Sequence, residues 1–454
     1  MKKLLSAPAV FPVSLLTLFI SAQAGASVLL EDDQLTLTYK NYYFNEYSKD
    51  NGDGRIWGAN RNEWIHAAEV HYQTGFIGDW LQLEYGLLAA DELRIGSSAN
   101  NVTNLPDANQ ANGFDPDGLL GTQTAYVTTR YRGDGFTFSA GGGKKARESA
   151  IYMDSSTRIQ NATSVGYDLN ADIGKLKLYY TELHKLSQRD QDDWGDDIVT
   201  YSGEKIDALR YYGGEYAFDL GLTLELAEAE SEDYIKERKA RASYRLPLAN
   251  KDALLFQATY GTMQDAGNLY ETDGVGIITL ADHDYAFAEA GSLDARYYEL
   301  SAGYRWPGYS LSLNYSDVSG DDWNHNLARD EFRLWDTSSR YSWTFYGLED
   351  EQAVSVLGSV DFEQFGLPNL NWYAGVWYSD QARGYNDFKR YEFTQELTYS
   401  FTGELQGLSL RYLNSFARAQ GELDGVNRIA NPIGPAALED KNVNRLYLTY
   451  TKTF

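Results

Sequence analysis

Apolar and polar residues alternate with a period of two through most of this chain. The last segment shows it clearly. Leu446, Leu448, Tyr450 and Phe454 fall on one face of an extended strand, and Tyr447, Thr449, Thr451 and Thr453 on the other. A soluble protein ending on an exposed apolar strand would offer other chains an unpaired edge. Pairing of the last strand with the first, apolar face toward lipid, removes that edge.

The same alternation recurs from Leu35 onward. Clear segments include Leu35–Glu46, Trp80–Ala90, Thr124–Arg132, Leu176–Leu186, Lys239–Leu246, Tyr297–Trp306, Leu370–Tyr378, Tyr391–Phe401, Leu408–Phe416 and Arg445–Phe454. Weaker ones lie near Trp64–Tyr72, Ser164–Ile173, Ala208–Phe218 and Val354–Phe362. With the remaining clear segments they predict about eighteen strands, an even number as single-chain bacterial barrels require. Connections alternate in length. Gly133-Asp-Gly135, Asp219-Leu-Gly221 and Pro307-Gly308 are tight turns, whereas Asp91–Gly121, Ser187–Asp207 and Asp317–Glu351 are long and polar. Short turns on one rim and long loops on the other predict an all-β, antiparallel transmembrane barrel with periplasmic turns and extracellular loops. A soluble β-sandwich would leave that asymmetry unexplained.

Composition agrees. The chain has 36 Tyr, 10 Trp and 41 Gly, as aromatic girdles and tight turns require, but only 9 Pro and no Cys. Thiol and disulfide chemistry are therefore excluded. Lys2 and Lys3 precede an apolar run from Val10 to Ile20 and small-x-small sites at Ala22-Gln-Ala24 and Ala24-Gly-Ala26. Residues 1–26 read as a secretory signal, too short to span a bilayer, with cleavage near 24 or 26. Residues 27–454 read as a single barrel domain. Removal of Lys2 and Lys3 takes the balance of 39 basic against 65 acidic residues to a net charge of about −28. Such a surface excludes nucleic acid as a partner. Expected partners are outer-membrane lipid and lipopolysaccharide, the barrel-assembly machinery and a small polar solute, with the chain a monomer or, as the alternative, an oligomer.

Strand phase identifies the lumenal side chains. Lys40, Arg130, Arg132, Lys239, Arg241, Arg245, Arg411 and Arg445 lie opposite apolar faces. A basic side chain at lipid mid-depth costs about 2–4 kcal/mol, which assigns these to the lumen. Closure places Lys40, Arg411 and Arg445 on adjacent strands, as a basic strip on one wall. Glu84, Glu299, Glu392 and Glu396 also face inward and predict an acidic wall, hence either a transverse field across the lumen or mutual neutralisation of the two walls without solute selectivity. Tyr179, Tyr373 and Trp377 face inward and could stack on sugar rings or pack as lining.

The five His residues show no metal-ligand spacing, no G-x-S-x-G occurs, and Gly141-Gly-Gly143 lacks a Walker context. A passive channel needs no cofactor, since solute moves down its gradient. The alternatives are a non-conducting structural or adhesion barrel and an outer-membrane barrel hydrolase.

Lys40-Asn-Tyr-Tyr-Phe-Asn45, Tyr244-Arg-Leu-Pro-Leu-Ala249, Phe365-Gly-Leu-Pro-Asn-Leu370, Leu408-Ser-Leu-Arg411 and Asn444-Arg445 resemble the OprD family of outer-membrane porins, which includes chitoporins. The resemblance is diffuse but spans nearly the whole mature sequence. It implies an eighteen-stranded monomeric channel with an arginine-lysine ladder on one wall. Lys40, Arg130, Arg411 and Arg445 match ladder positions, and Leu413 stands where amino-acid-type members carry another arginine. The stretch Ser155–Thr163, with Arg158, resembles the family's inward constriction loop. Leu334-Trp-Asp through Trp343 and Asn369–Trp372 are similar to chitoporin-type members. The implied solutes are therefore carboxylates, amino acids or small peptides on one side and chitooligosaccharides on the other.

Overall fold

A computed structural model describes residues 32–50, 60–97, 99, 102–106, 109–110, 113–114, 116–200, 202–273, 278–280, 283–285, 293–323, 326–329, 337–423 and 438–454. The segment read as a secretory signal, 1–26, and Leu334-Trp-Asp lie outside these residues.

Among the described residues eighteen antiparallel strands form the wall. They are β1 (Gln34–Asp50), β2 (Arg61–Gln73), β3 (Leu81–Ile95), β4 (Leu119–Gly133), β5 (Phe136–Lys145) and β6 (Thr163–Ile173). Next come β7 (Leu176–Ser187), β8 (Leu209–Ala217), β9 (Leu222–Ser231), β10 (Ile235–Pro247), β11 (Ala253–Asp265) and β12 (Asp294–Trp306). The last six are β13 (Tyr309–Ser319), β14 (Gln352–Asp361), β15 (Leu370–Asp380), β16 (Tyr385–Ser400), β17 (Leu408–Leu423) and β18 (Glu439–Thr453). A nineteenth piece, Asp196–Asp197, only bridges the end of β7. Each strand pairs with its chain neighbour, and β18 pairs with β1 from Thr36↔Thr453 to Asp50↔Glu439. The apolar terminal strand is thus the closing seam, and among the described residues the wall has no open edge.

The periplasmic half follows the expected alternation. Leu224, Leu226, Leu300, Leu311, Leu313 and Val376 are exposed on the outer face. Above them the inner face turns apolar. Leu183, Leu209, Ala229, Ile235, Ala295 and Val318 are buried under Ile151, Tyr152, Trp323 and Leu327 from inward loops. A second cluster joins Ile65, Ala67 and Leu88 of the wall to Val102, Leu105 and Ile159 of loops. The extracellular half of the lumen is therefore packed with its own loops, and the hydrophobic effect holds them there.

Candidate functional site

β1 sets the strip. Its even positions face inward, and Lys40, Phe44 and Glu46 share that face. Arg445 of β18 lies opposite Phe44, and Tyr447, which lies opposite Tyr42, also faces Arg411 of β17. Lys40 pairs with Glu69 of β2 at 2.8 Å. The Arg411 guanidinium lies 3.9 Å over the Tyr447 ring and 3.7 Å from Glu396. Arg445 is 1% exposed, bonded to Glu46, and held between the rings of Phe44 at 3.9 Å and Trp343 at 4.2 Å. Lys40, Arg411 and Arg445 thus form successive steps on one wall.

Two of the loops that fold inward from the extracellular side reach the strip. The first, residues 146–162, is a strap that joins opposite walls. Near β8 and β10, Lys239 donates to the Ala150 carbonyl at 2.7 Å, and Tyr152 stacks on Tyr211 at 4.9 Å. At the far wall, Lys40 donates to the Ile159 carbonyl at 3.2 Å and Arg445 to that of Thr157 at 2.9 Å. Arg147 anchors one root through Asp168 of β6 at 3.1 Å. The strap carries Asp154, whose carboxylate accepts from the Arg147 amide at 2.8 Å, Ser164 Oγ at 2.9 Å and the Tyr152 hydroxyl at 2.8 Å. Burial pushes its pKa up to about 6 against those stabilising bonds.

The second loop, residues 337–348, runs along the wall from β12 to β18. Glu299 accepts from the Ser338 amide at 3.0 Å. Glu392 accepts from the amides of Trp343 at 2.6 Å and Thr344 at 2.8 Å, and from Thr394 at 2.6 Å and Ser415 at 3.1 Å. Both carboxylates are buried. Reading them as free charges of an acidic wall needs correction, because the loop backbone covers them. Glu63, also buried, holds the Thr103 amide at 3.1 Å in the same way. Glu396 alone among the predicted β16 pair keeps a half-open position beside Arg411.

Where strap, strip and the 187–208 loop meet, four guanidinium groups surround Glu46. Arg61 reaches it at 2.6 Å, Arg445 also pairs with it, and Arg158 and Arg189 lie within electrostatic range. Arg158 is 6% exposed; it donates to the carbonyl and hydroxyl of Thr157, and its Nε meets no acceptor among the described residues. Burial, then repulsion from Arg189, Arg445 and Arg61, holds the Arg158 pKa well below the usual guanidinium range. Burial and repulsion from Arg61 bring that of Arg189 down to about 10, against attraction from Asp190. The cluster has more cations than anions in a site of restricted water, which makes it receptive to an incoming anion.

Other predicted residues go elsewhere. Arg130 faces inward but sits at the periplasmic end, 3.3 Å over the Phe76 ring and bonded to the Asp79 carbonyl at 3.0 Å. Arg132 and Arg245 share the inward face beside periplasmic turns and are exposed. The tilt of the strands separates all three from the strip. Arg241 pairs with Glu225 at 3.2 Å. Trp377 is 3% exposed, packed with Tyr346 and folded over Gly375, so it offers no open ring to a sugar. Tyr373 meets Tyr341 of the second loop at 5.2 Å. Glu84 lies 3.8 Å from His71.

Sequence reasoning did not single out Glu46, Arg61, Glu69, Arg147 or Arg189. Glu46 shares the parity of Lys40, so strand phase alone carried that signal. Arg147 and Arg189 lie in loops, where no period marks direction.

A closed eighteen-strand barrel narrowed by loops around a charged constriction defines an outer-membrane β-barrel of the porin class. Residues 28–454 match the outer membrane porins of the OprD family, and the chain belongs to that family. It crosses the outer membrane as a multi-pass barrel. It is 25% identical to Porin D of Pseudomonas aeruginosa over 442 residues, 89% of this chain and 91% of that protein. The crystal structure of Pseudomonas aeruginosa OccK9 (OpdG) superposes with a TM-score of 0.74 at 20% identity, covering 94% of this chain and all of that one. That of OpdK from the same organism, solved with vanillate, gives 0.71 at 18% identity, again over 94% and 100%. These likenesses establish the fold.

Proposed function

We propose that the protein is a substrate-selective outer-membrane channel for small solutes bearing a carboxylate. The observation that carries this reading is Arg158, buried within the guanidinium cluster with its Nε unmatched among the described residues. A carboxylate can accept from two guanidinium nitrogens at once, at short charge-assisted distances. Below the cluster, Arg411 and Lys40 offer successive positions along the same wall, so an anion moves between cations without a step into low dielectric. Glu69 and Glu396 temper each cation, which keeps binding weak enough for release. OpdK, a protein of this fold, has been solved with vanillate, a carboxylate. Predicted sugar-stacking rings give less support, since Trp377 is buried.

The test is current through single channels in planar bilayers, with glucuronate or chitohexaose added on one side. Glucuronate should interrupt the wild-type current and lose most of that effect in Arg411→Gln, whereas chitohexaose should not interrupt it. Block by chitohexaose without block by glucuronate would overturn the reading in favour of neutral oligosaccharides. An absence of conductance would point to a sealed structural barrel.

A further inference from the structure

The outer wall of β7–β11 carries a feature the channel does not use. Strand register fixes its outward rows. One reads Leu178–Gly214–Leu226–Ala240–Tyr260. Gly214 and Ala240 are short, whereas Leu226 stands 66% exposed. A groove of about 810 Å3 results, rimmed by Leu178, Leu226, Tyr260, Tyr212, Glu228 and Arg238.

The next row toward the extracellular side reads Tyr180–Tyr212–Glu228–Arg238–Thr262. The one after reads Glu182–Arg210–Glu230–Lys236–Gln264. These rows lie about 7 Å apart. Polarity inverts here, because Ala227, Ala229 and Ile235 at the same height are buried inside. Charges so placed mark the depth where hydrocarbon gives way to headgroups. The charges are paired, Arg238 with Glu228 at 2.6 Å, Lys236 with Glu230 at 2.6 Å, and Arg210 with Glu182 at 2.7 Å and Glu232 at 2.9 Å. Arg238 pairs through Nε, and its side chain is 53% exposed. The β9–β10 connection above is only Glu232–Tyr234, too short to overhang the rows. The opposite wall is different. There the row Asn414–Asn444–Asn45–Asn62 is made of four neutral amides.

We infer that this sector is a binding site for a phosphorylated acyl glycolipid of the outer leaflet, of the lipopolysaccharide type. An acyl chain lies in the groove over Gly214 and Ala240. Its phosphates meet Arg238 and Lys236, and a divalent cation bridges phosphate to Glu230 and Glu232. Paired charges suit this ligand better than bare cations would, because it arrives with its own counterions. A simple acyl chain would account for the groove but not for the two charged rows above it.

Native mass spectrometry of the full barrel in detergent, with bisphosphorylated lipid A and Mg2+ as probe, tests the site. One lipid should be retained per barrel. Retention should fall about thirty-fold in the Lys236→Ala/Arg238→Ala variant, the factor given by two basic residues worth about 1 kcal/mol each at an anionic surface. Ala240→Trp should fill the groove and lower retention similarly, whereas Asn45→Ala/Asn444→Ala should leave it unchanged. Dephosphorylated lipid A on the wild type should bind weakly, which keeps the test decisive if a variant fails to fold. Conductance should not change in the outward variants, separating this outcome from that of the channel reading. Equal retention by wild type and the Lys236→Ala/Arg238→Ala variant, or equal retention of phosphatidylglycerol and lipid A, would overturn the proposal. So would a dimer in lipid-free detergent that Ala240→Trp dissociates, since the occupant would then be a second copy.

Discussion

The two inward loops are held by opposite chemistry. The strap, residues 146–162, is gripped by cations that donate to its carbonyls: Lys239 to Ala150, Lys40 to Ile159 and Arg445 to Thr157. The loop at 337–348 is gripped chiefly by carboxylates that accept from its amides: Glu299 from Ser338, and Glu392 from Trp343 and Thr344. Each wall thus uses the backbone group that its charge can satisfy. Buried peptide groups need partners, and a lumen too polar to bury loops on apolar surface alone supplies them from its own charges. The inward charges of this barrel therefore have two duties, and those that hold a loop are not free to meet a solute.

Arg445 belongs to both sides, and removing it should give the largest effect. It carries the Glu46 ion pair, donates to the strap and lies against the Trp343 ring. Arg445→Met leaves Glu46 buried with Arg61 as its remaining close partner, and breaking a buried pair from one side costs about 3–5 kcal/mol. Both loops should then show faster amide exchange, and the barrel a lower denaturation midpoint. Adding Glu46→Gln should restore part of the loss. If only one loop responds, Arg445 is not the junction between them.

A smaller pair of changes should separate the two grips. Glu392→Ala removes the acceptor of two amides, with a local cost of about 3 kcal/mol from charged hydrogen bonds. Exchange at Trp343 and Thr344 should quicken, and single-channel conductance should rise as the loop moves. Lys239→Met removes one donor to the strap, at about 2 kcal/mol. Exchange should quicken around Ala150 and not at Trp343. A response of both loops to either single change would dissolve the distinction.

The wall was legible from sequence because a period of two survives wherever one face meets lipid. The seam strand, Arg445–Phe454, and the Lys40 face of β1 are the clearest cases. β2 read weakly for a physical reason. Ile65 and Ala67 face inward under loops, so its extracellular half lacks a polar inner face. β9 shows the same inversion, with Leu224 and Leu226 outward below and Ala227 and Ala229 inward above. Of the site, strand phase could assign a face to the charges on strands, but not to Arg158 in the strap, and it could not tell which of them a loop covers. Glu392 and Trp377 point inward as expected and are buried, because loops with no period of their own cover them. Arg61 precedes the stretch where β2 alternation shows, and Arg189 sits in a loop. The cluster around Glu46 therefore needed three dimensions to appear.

The mildest test uses pH. Asp154 lies on the strap, outside the wall strands, and its carboxyl titrates near 6 because burial outweighs its three hydrogen bonds. Its folded pKa lies above the ordinary carboxylate value. The protonated form is thus favoured when the strap is seated, and that stability is fullest below the ordinary value near 4. It is lost as pH rises through about 6. Between pH 7 and pH 5 the seated strap should gain about 1 kcal/mol. Amide exchange around Tyr152 and Ser164 should slow across that interval, with a midpoint near 6. Asp154→Asn should remove the pH dependence while the second loop keeps its own exchange rates. A midpoint unmoved by Asp154→Asn would place the titrating group elsewhere. A parallel change at Trp343 and Thr344 would show that the two loops open as one, which the opposite chemistry of their anchors argues against.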